Sequence, residues 1–394
     1  MSGALTGRVT LALTGQALIH GSLDLDGTGP AEVLAFLAAA DATITNLEAT
    51  TVVPGAWPTK TRTIHTCTAG ALASLRALGV DVLTHANNHA FDLGPPGLLA
   101  TRAAAAGAGL VLTGSGGDLA SAMAPATIRG PGGSIAVLAA DCGPQPDIVY
   151  ASADRAGVAA LRLRRRVTVP AAELAILQNI GEMLGDARKE RRRARIGYRA
   201  SAVEVSELFG VELRAGDVIQ DGFVPDPADL EGFLAQLATT RAGHDVVVVA
   251  LHSHHWGAEW ERAPPWAMAL QTTLLDAGAD LVVGTGVPLL QPMALHAGKP
   301  LFPCMGNLVF HTRRAEAYAR EGMAVLESVL CRVELGLPER EVKEILVLPV
   351  AVGGPAASGL PAGPAPLPRD AARRVLDAFC ADLDPADRRL VRLA

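Results

Sequence analysis

Apolar positions along this chain keep two rhythms that take turns. RVTLALT (8–14) alternates and then turns continuously apolar, as a strand entering a core does. AEVLAFLAAA (31–40) follows the breaker Gly27-Thr28-Gly29-Pro30 and carries helical spacing. ATITNLE reads as the next strand, AGALASLRALG (69–79) as an amphipathic helix stopped by Gly79, and GVDVLTH as the strand after it. GLLATRAAAAGAG (97–109) is a further helix, followed by strands at VLT (111–113) and SIAVLAA (134–140). Strands alternating with helices of about 10–13 residues predict an α/β architecture. Sheets of that kind form sites at the C-terminal ends of strands, where Gln16, Glu48, Asn88, His89 and His252 fall.

The alternation breaks between about 150 and 230. RLRRR (Arg162–Arg166), a helix from Ala171 to Leu184 and RKERRRAR (Arg188–Arg195) make this a basic helical insertion. Its charge runs read first as a solvated helix face or a charged loop. The alternative is a lid whose arginines, Arg191 and Arg195 among them, pair with substrate carboxylates. From Pro227 the pattern resumes with a helix at 227–239, the strand DVVVVALH, a helix at Trp266–Ala277 and the strand ADLVVG. HTRRAEAYAREGM reads as a loop running into a helix, and ESVLCRVEL and VKEILVLPV as strands. Residues 353–369 form a Pro/Gly-rich linker and 370–394 a closing amphipathic helix, leaving 1–352 as the main domain.

Composition narrows the classes. The 394 residues are 49% hydrophobic, enough for a substantial core, but only 4% aromatic, so packing relies on small and branched aliphatics. A net charge of −6 gives no reason to expect nucleic-acid binding. No apolar run reaches the roughly 18 residues of a membrane span. The N-terminus lacks a basic segment leading into an apolar stretch and a cleavage site, which reads as a cytoplasmic protein. Five scattered cysteines without a C-x-x-C pair indicate neither a disulfide framework nor a zinc knuckle. Cys304, in PCMGN before a Gly-Asn turn, is the one thiol kept as a candidate.

The candidate chemistry is histidine-rich. HANNHAFDLG (His85–Gly94) puts Asn88 and His89 after a buried strand, where an amide oxygen can face a metal and an imidazole a leaving group. His252-Ser253-His254-His255-Trp256-Gly257 puts three imidazoles at another strand end, with Glu259 in reach to orient one. Glu48 is the carboxylate of this set. His20 and Asp24 read as rim residues. Three of the four tryptophans, Trp256, Trp260 and Trp266, follow the histidine loop and suggest a pocket wall beside it, against a plain core cluster.

Five segments in order resemble the CapA family of capsule and poly-γ-glutamate synthesis proteins, relatives of calcineurin-type metallophosphatases. They are LALTGQALIHG (Leu11–Gly21), ATITNLEATT (Ala42–Thr51), the His85–Gly94 loop, VVVVALHSHHWGAEW (Val246–Trp260) and ADLVVGTGVPLLQPM…KPLFPCMGNLVF (Ala279–Phe310). The resemblance covers roughly residues 8–350 and implies a metallophosphatase-like layered sheet sandwich flanked by helices. It also shows departures. Gln16 stands where the family has Asp, and Thr285 and Pro288 stand where histidines are expected. A dinuclear site needs carboxylates to bridge and neutralise two dications, and neither Gln nor Pro does that.

The resemblance therefore implies an enzyme with no cofactor, using His-centred acid–base chemistry on a peptide or poly-γ-glutamate-like substrate. Epimerisation at Cα, an activity found among CapA-like proteins, is one form of it. His89, His252, His254, Glu48 and Cys304 are the catalytic candidates, and Asn88, Gln16, Asn46, Trp256, Arg191 and Arg195 the substrate-binding ones. The alternatives are a phosphoesterase or amide hydrolase holding one divalent metal (Mn, Fe or Zn) through Glu48, Asn88, His252 and His254, and a non-catalytic binding protein on the same fold.

Overall fold

The computed structural model describes residues 7–61, 63–130, 132–144, 147–198, 206–354 and 362–394. Two sheets lie face to face among them. The first has nine strands, with Arg8–Leu18 at its centre between Glu327–Gly336 and Ala42–Leu47, followed outward by Val82–Thr84 and Val111–Thr113. The second has six, with Val246–His252 between Gly133–Asp141 and Leu281–Thr285. These central strands run parallel within each sheet, apart from the antiparallel Glu327–Gly336.

The period-2 pattern explains the layering. Val9, Leu11 and Leu13 point between the sheets and meet Ile135, Val137, Val246 and Val248 in one buried cluster. Ala12, Leu47 and Leu83 face the other way and pack on Val33, Phe36 and Leu37 of the helix Thr28–Ala38 and on Leu72 and Leu75 of Ala69–Ala77. Val247 and Val249 likewise face outward onto Phe233 and Leu237 of Pro227–Gly243 and Leu270 and Leu274 of Pro265–Asp276. Both faces of Val246–His252 are covered, so its run of valines has no polar side. The result is the expected α/β sandwich of sheets flanked by helices.

The first helix starts earlier than the sequence suggests, because Gly29 and Pro30 lie inside its first turn, where a missing N–H costs nothing. The insertion differs more. It holds the helices Ala171–Met183 and Asp186–Arg195, but also a four-stranded sheet, so it is not simply helical. RLRRR is neither helix face nor loop. It forms most of the strand Leu163–Val169, because its arginines meet acids on neighbouring segments: Arg162 with Asp229 at 2.5 Å, Arg165 with Asp221 at 2.8 Å and Arg166 with Glu212 at 2.7 Å.

Of residues 353–369, 355–361 lie outside the described residues. Gly353 N–H donates to Leu308 O, and Ala365–Pro366 pairs with the strand Glu341–Ala351. The helix Arg369–Phe379 lays Val375, Leu376 and Phe379 on the core between the sheets, the Phe379 ring stacked on Phe302. Among the described residues no helix is long and apolar enough to cross a membrane.

Candidate active site

The parallel strands of both sheets deliver polar residues to one end. Gln16 lies level with Asn46, Asn46 with Thr84, and His252 with both Asp141 and Thr285. Gly15, within the strand Arg8–Leu18, lets the backbone of Gly306 come close: a Cβ there would sit 2.5 Å from Gly306 O, and the next N–H, of Gln16, donates to that carbonyl at 2.9 Å. In the loop after Val82–Thr84, Asn87 donates to Leu47 O at 2.7 Å and accepts from the N–H of His89 at 3.0 Å. That pair of bonds fixes Asn88 and His89 over Glu48.

Glu48 is the centre. Its Oε1 lies 3.8 Å from His89 Nε2, 3.9 Å from His252 Nε2 and 3.7 Å from His254 Nε2. Its Oε2 is buried without a hydrogen-bond partner. Burial raises the carboxyl pKa, but the contact with His254 and the imidazoles of His89, His254 and His65 together hold it below the ordinary value. Burial drives His252 well below its ordinary pKa and His89 down to about 3, so both rings are neutral around an ionised carboxylate.

Hydrogen bonds set the tautomers. His252 Nδ1 is 3.0 Å from Thr285 Oγ1, whose own proton goes to Leu251 O at 3.3 Å. Nδ1 therefore carries the ring proton, leaving Nε2 as a bare acceptor. This lone pair faces Asn88 Oδ1 at 3.0 Å and His254 Nε2 at 3.1 Å. Two acceptors turned toward one another, His252 Nε2 and Asn88 Oδ1, call for a proton or a cation between them. The ligand atoms of Glu48, His252 and His254 all lie within 4.8 Å of one another. With Asn88 they make a four-donor oxygen and nitrogen set that fits one divalent ion.

The structure thus brings together Glu48, Asn88, His89, His252 and His254. The Trp256 ring stands 5.2 Å from that of His254, on the site's flank, and packs edge-on to Trp260. Other candidates are occupied elsewhere. Gln16 is buried, its Oε1 accepting from Gly286 N–H at 3.0 Å. Asn46 donates to Thr84. Cys304 is fully buried, its thiol donating to Val287 O at 3.1 Å and pushed up to about 12 by burial. Arg191 forks onto Glu182, and Arg195 donates to Arg191 O, both exposed on the insertion's second helix. Trp57 and Glu259 are exposed. His20 is half-buried, ringed by His65 and His311.

Several functional groups escaped the sequence reading. Asp92 accepts from His89 Nδ1 at 2.6 Å and pairs with Lys60 Nζ at 2.7 Å. The His65 ring lies 4.1 Å from that of His89. Asp141 accepts from Tyr150 O–H and Gly143 N–H, both at 2.8 Å, and burial pushes its carboxyl up to about 7 within electrostatic reach of His254. Signals for two of these existed: Asp92 sits three residues after His89, and Asp141 is the polar end of an apolar strand. Lys60 and His65 lie in a loop without pattern.

A layered α/β sandwich with a buried Glu–His cluster at its strand ends defines the class. A model of the family described as "Bacterial capsule synthesis protein PGA_cap" matches residues 10–312, and the chain belongs to that family. It is 35% identical over 85 residues to the PGA biosynthesis protein CapA of Bacillus subtilis (strain 168), covering 21% of this chain and 22% of that one. It is 27% identical over 281 residues to the probable polyglutamine synthesis accessory protein MT0602 of Mycobacterium tuberculosis (strain CDC 1551 / Oshkosh), covering 71% of this chain and 58% of that one. The chain spans about half the length of the curated relatives it matches over long stretches, 51% of one and 58% of another. Among solved structures, a novel phosphatase of Mycoplasma pneumoniae aligns with a TM-score of 0.42 and 10% identity, covering 88% of this chain and 94% of that one. That likeness is too distant to bear on chemistry.

Proposed function

We propose that this chain is an enzyme that hydrolyses an amide bond in a peptide or poly-γ-glutamate-like chain. Family membership supports a place in capsule or polyglutamate synthesis. One observation carries the chemistry: three imidazole Nε2 atoms converge within 3.7–3.9 Å of a single carboxylate oxygen of Glu48. Convergence on one point suits attack at one carbonyl better than inversion, which needs two groups on opposite faces of a carbon.

His89, neutral and oriented by Asp92, takes a proton from water on Nε2 as the oxygen–carbon bond forms. The same proton then goes to the departing amine nitrogen as the carbon–nitrogen bond breaks. The charge of Asp92 stabilises the imidazolium in between. Glu48, Asn88, His252 and His254 would hold a divalent ion, which supplies carbonyl polarisation when bound.

A second reading, inversion at Cα by metal-free acid–base chemistry, is favoured by Asp141. Its carboxyl, pushed up to about 7, offers a further proton carrier near His254. Cys304 is a poor partner for it, because its thiol is buried and bonded to Val287 O.

Incubation with poly-γ-glutamate and with neutral peptides in D₂O, with and without EDTA, tests both readings. Hydrolysis yields new amine ends and no deuterium at Cα. Deuterium at Cα without chain cleavage would replace the hydrolase by the inverting enzyme. Orthophosphate release from phosphoesters alone would make it a phosphoesterase, and binding without turnover a binding protein.

A further inference from the structure

A cleft of about 500 Å³, part of it open to solvent, runs beside the Glu48 cluster at the ends of Val246–His252 and Leu281–Thr285. Its walls are chiefly Leu251, Trp256, Trp266, Leu270, Val287 and Pro303. It borders the site through neighbours of the cluster residues. Thr285, which holds His252 Nδ1, lines it, as do Ser253 and His255 on either side of His254. The insertion reaches it too: Phe223, on the strand Gln220–Pro225, sets its ring 4.2 Å from His255 and 5.1 Å from Trp266.

Among the described residues no lysine or arginine lines this cleft. Its one imidazole, His255, is turned to the backbone, with Nε2 against Cys142 O at 3.0 Å. We infer that the cleft receives an uncharged apolar side chain of a peptide whose backbone lies on the Glu48–His254 cluster. This rests on the proposal that the cluster works on an amide chain, and narrows the substrate away from an all-glutamyl polymer. A glutamyl carboxylate there would lose its water with no cation in return. A leucyl or phenylalanyl side chain would bury apolar surface against two indoles.

The test is a titration of the full chain with acetyl-Ala-Leu-Ala-amide and its Phe and Glu counterparts, followed by tryptophan fluorescence. Trp256 and Trp266 line the cleft, so the leucyl and phenylalanyl probes should change the emission saturably. They should bind about tenfold more tightly than the glutamyl probe, or better. Ala267→Phe, which fills the cleft from the helix Pro265–Asp276, should abolish this binding. Phe223→Ala, which opens the insertion side, should weaken it several-fold, with unchanged melting showing that each variant folds.

Equal binding of the leucyl and glutamyl probes, or binding indifferent to both variants, would overturn the assignment. Glu48→Gln separates the two proposals. It should keep the probe preference while abolishing amide hydrolysis. Probe preference with no hydrolysis by the native chain overturns the hydrolase alone. Hydrolysis without probe preference overturns the cleft alone.

Discussion

Asp92 holds His89 by a hydrogen bond of 2.6 Å from Nδ1 to Oδ2, and both side chains are buried. The same oxygen accepts from His65 N–H at 2.8 Å, and the other pairs with Lys60. The carboxylate thereby keeps the ring proton on Nδ1 and the Nε2 lone pair toward Glu48. Asp92→Asn preserves the shape but removes the charge and lets an amide donate into Nδ1. Steady-state kinetics should show kcat lowered about a hundredfold or more, with KM little changed. A change confined to KM would remove Asp92 from the proton path.

Stability should fall in acid. Burial, the largest cause in each case, holds His65, His85, His255 and His311 down to about 4 and His89 to about 3. Between those values and the ordinary 6.5 the unfolded chain binds protons that the folded chain does not. Their contribution is therefore complete above about pH 6.5 and is lost as pH falls toward 4. Asp141 and Asp92, raised by burial to about 7 and about 6, act in the opposite sense. Their contribution is present below about pH 4 and lost as pH rises through those values. Five imidazoles outweigh two carboxyls, and fully buried His85 alone accounts for on the order of 3 kcal/mol. The thermal midpoint should be several degrees lower at pH 5 than at pH 7. A flat profile would contradict the burial of these rings.

Much of this molecule was legible because period and position carry structure. The valines of Val246–His252 announced a strand covered on both faces, and the polar residues ending it announced the site. Glu48, Asn88, His89, His252 and His254 follow strands that bring them together in space. RLRRR was misread because its partners Asp221, Glu212 and Asp229 lie 46 to 67 residues away, and pairing across such a distance leaves no local trace. Lys60 joins the site from a patternless loop for the same reason. Cys304 shows what a sequence omits: a cysteine beside a Gly-Asn turn at a strand end looks reactive, and the fold buries its sulfur against the Val287 carbonyl.

Cys304→Ala should therefore leave turnover within about a factor of two while lowering stability by on the order of 1 kcal/mol, the ordinary cost of a small buried cavity. The native thiol should resist alkylation at neutral pH, since burial pushes it up to about 12 and the thiolate is the reactive form. Mass spectrometry after iodoacetamide treatment, with and without denaturant, reads this directly. Rapid native labelling of Cys304, or loss of turnover in the alanine variant, would return it to the chemistry.

Metal stoichiometry separates a four-donor site from a dinuclear one. His252 Nε2, His254 Nε2, Asn88 Oδ1 and Glu48 converge as possible ligand atoms, enough for one divalent ion. A second ion needs a bridging carboxylate, and at the end of the first strand stands Gln16, neutral and with its Oε1 taken by Gly286 N–H. Chelator-stripped protein titrated with Zn²⁺ or Mn²⁺ by calorimetry should take up one equivalent. Glu48→Gln should abolish this uptake, because it removes the only charged ligand of the set. Thr285→Val should weaken it about 10- to 100-fold without touching a ligand atom, because the Thr285 hydroxyl keeps the His252 proton on Nδ1 and its Nε2 lone pair free. Two equivalents would mean that a second ion binds without a carboxylate at position 16. No uptake at all would mean that a proton, carried between His252 and His254, is what sits between these acceptors.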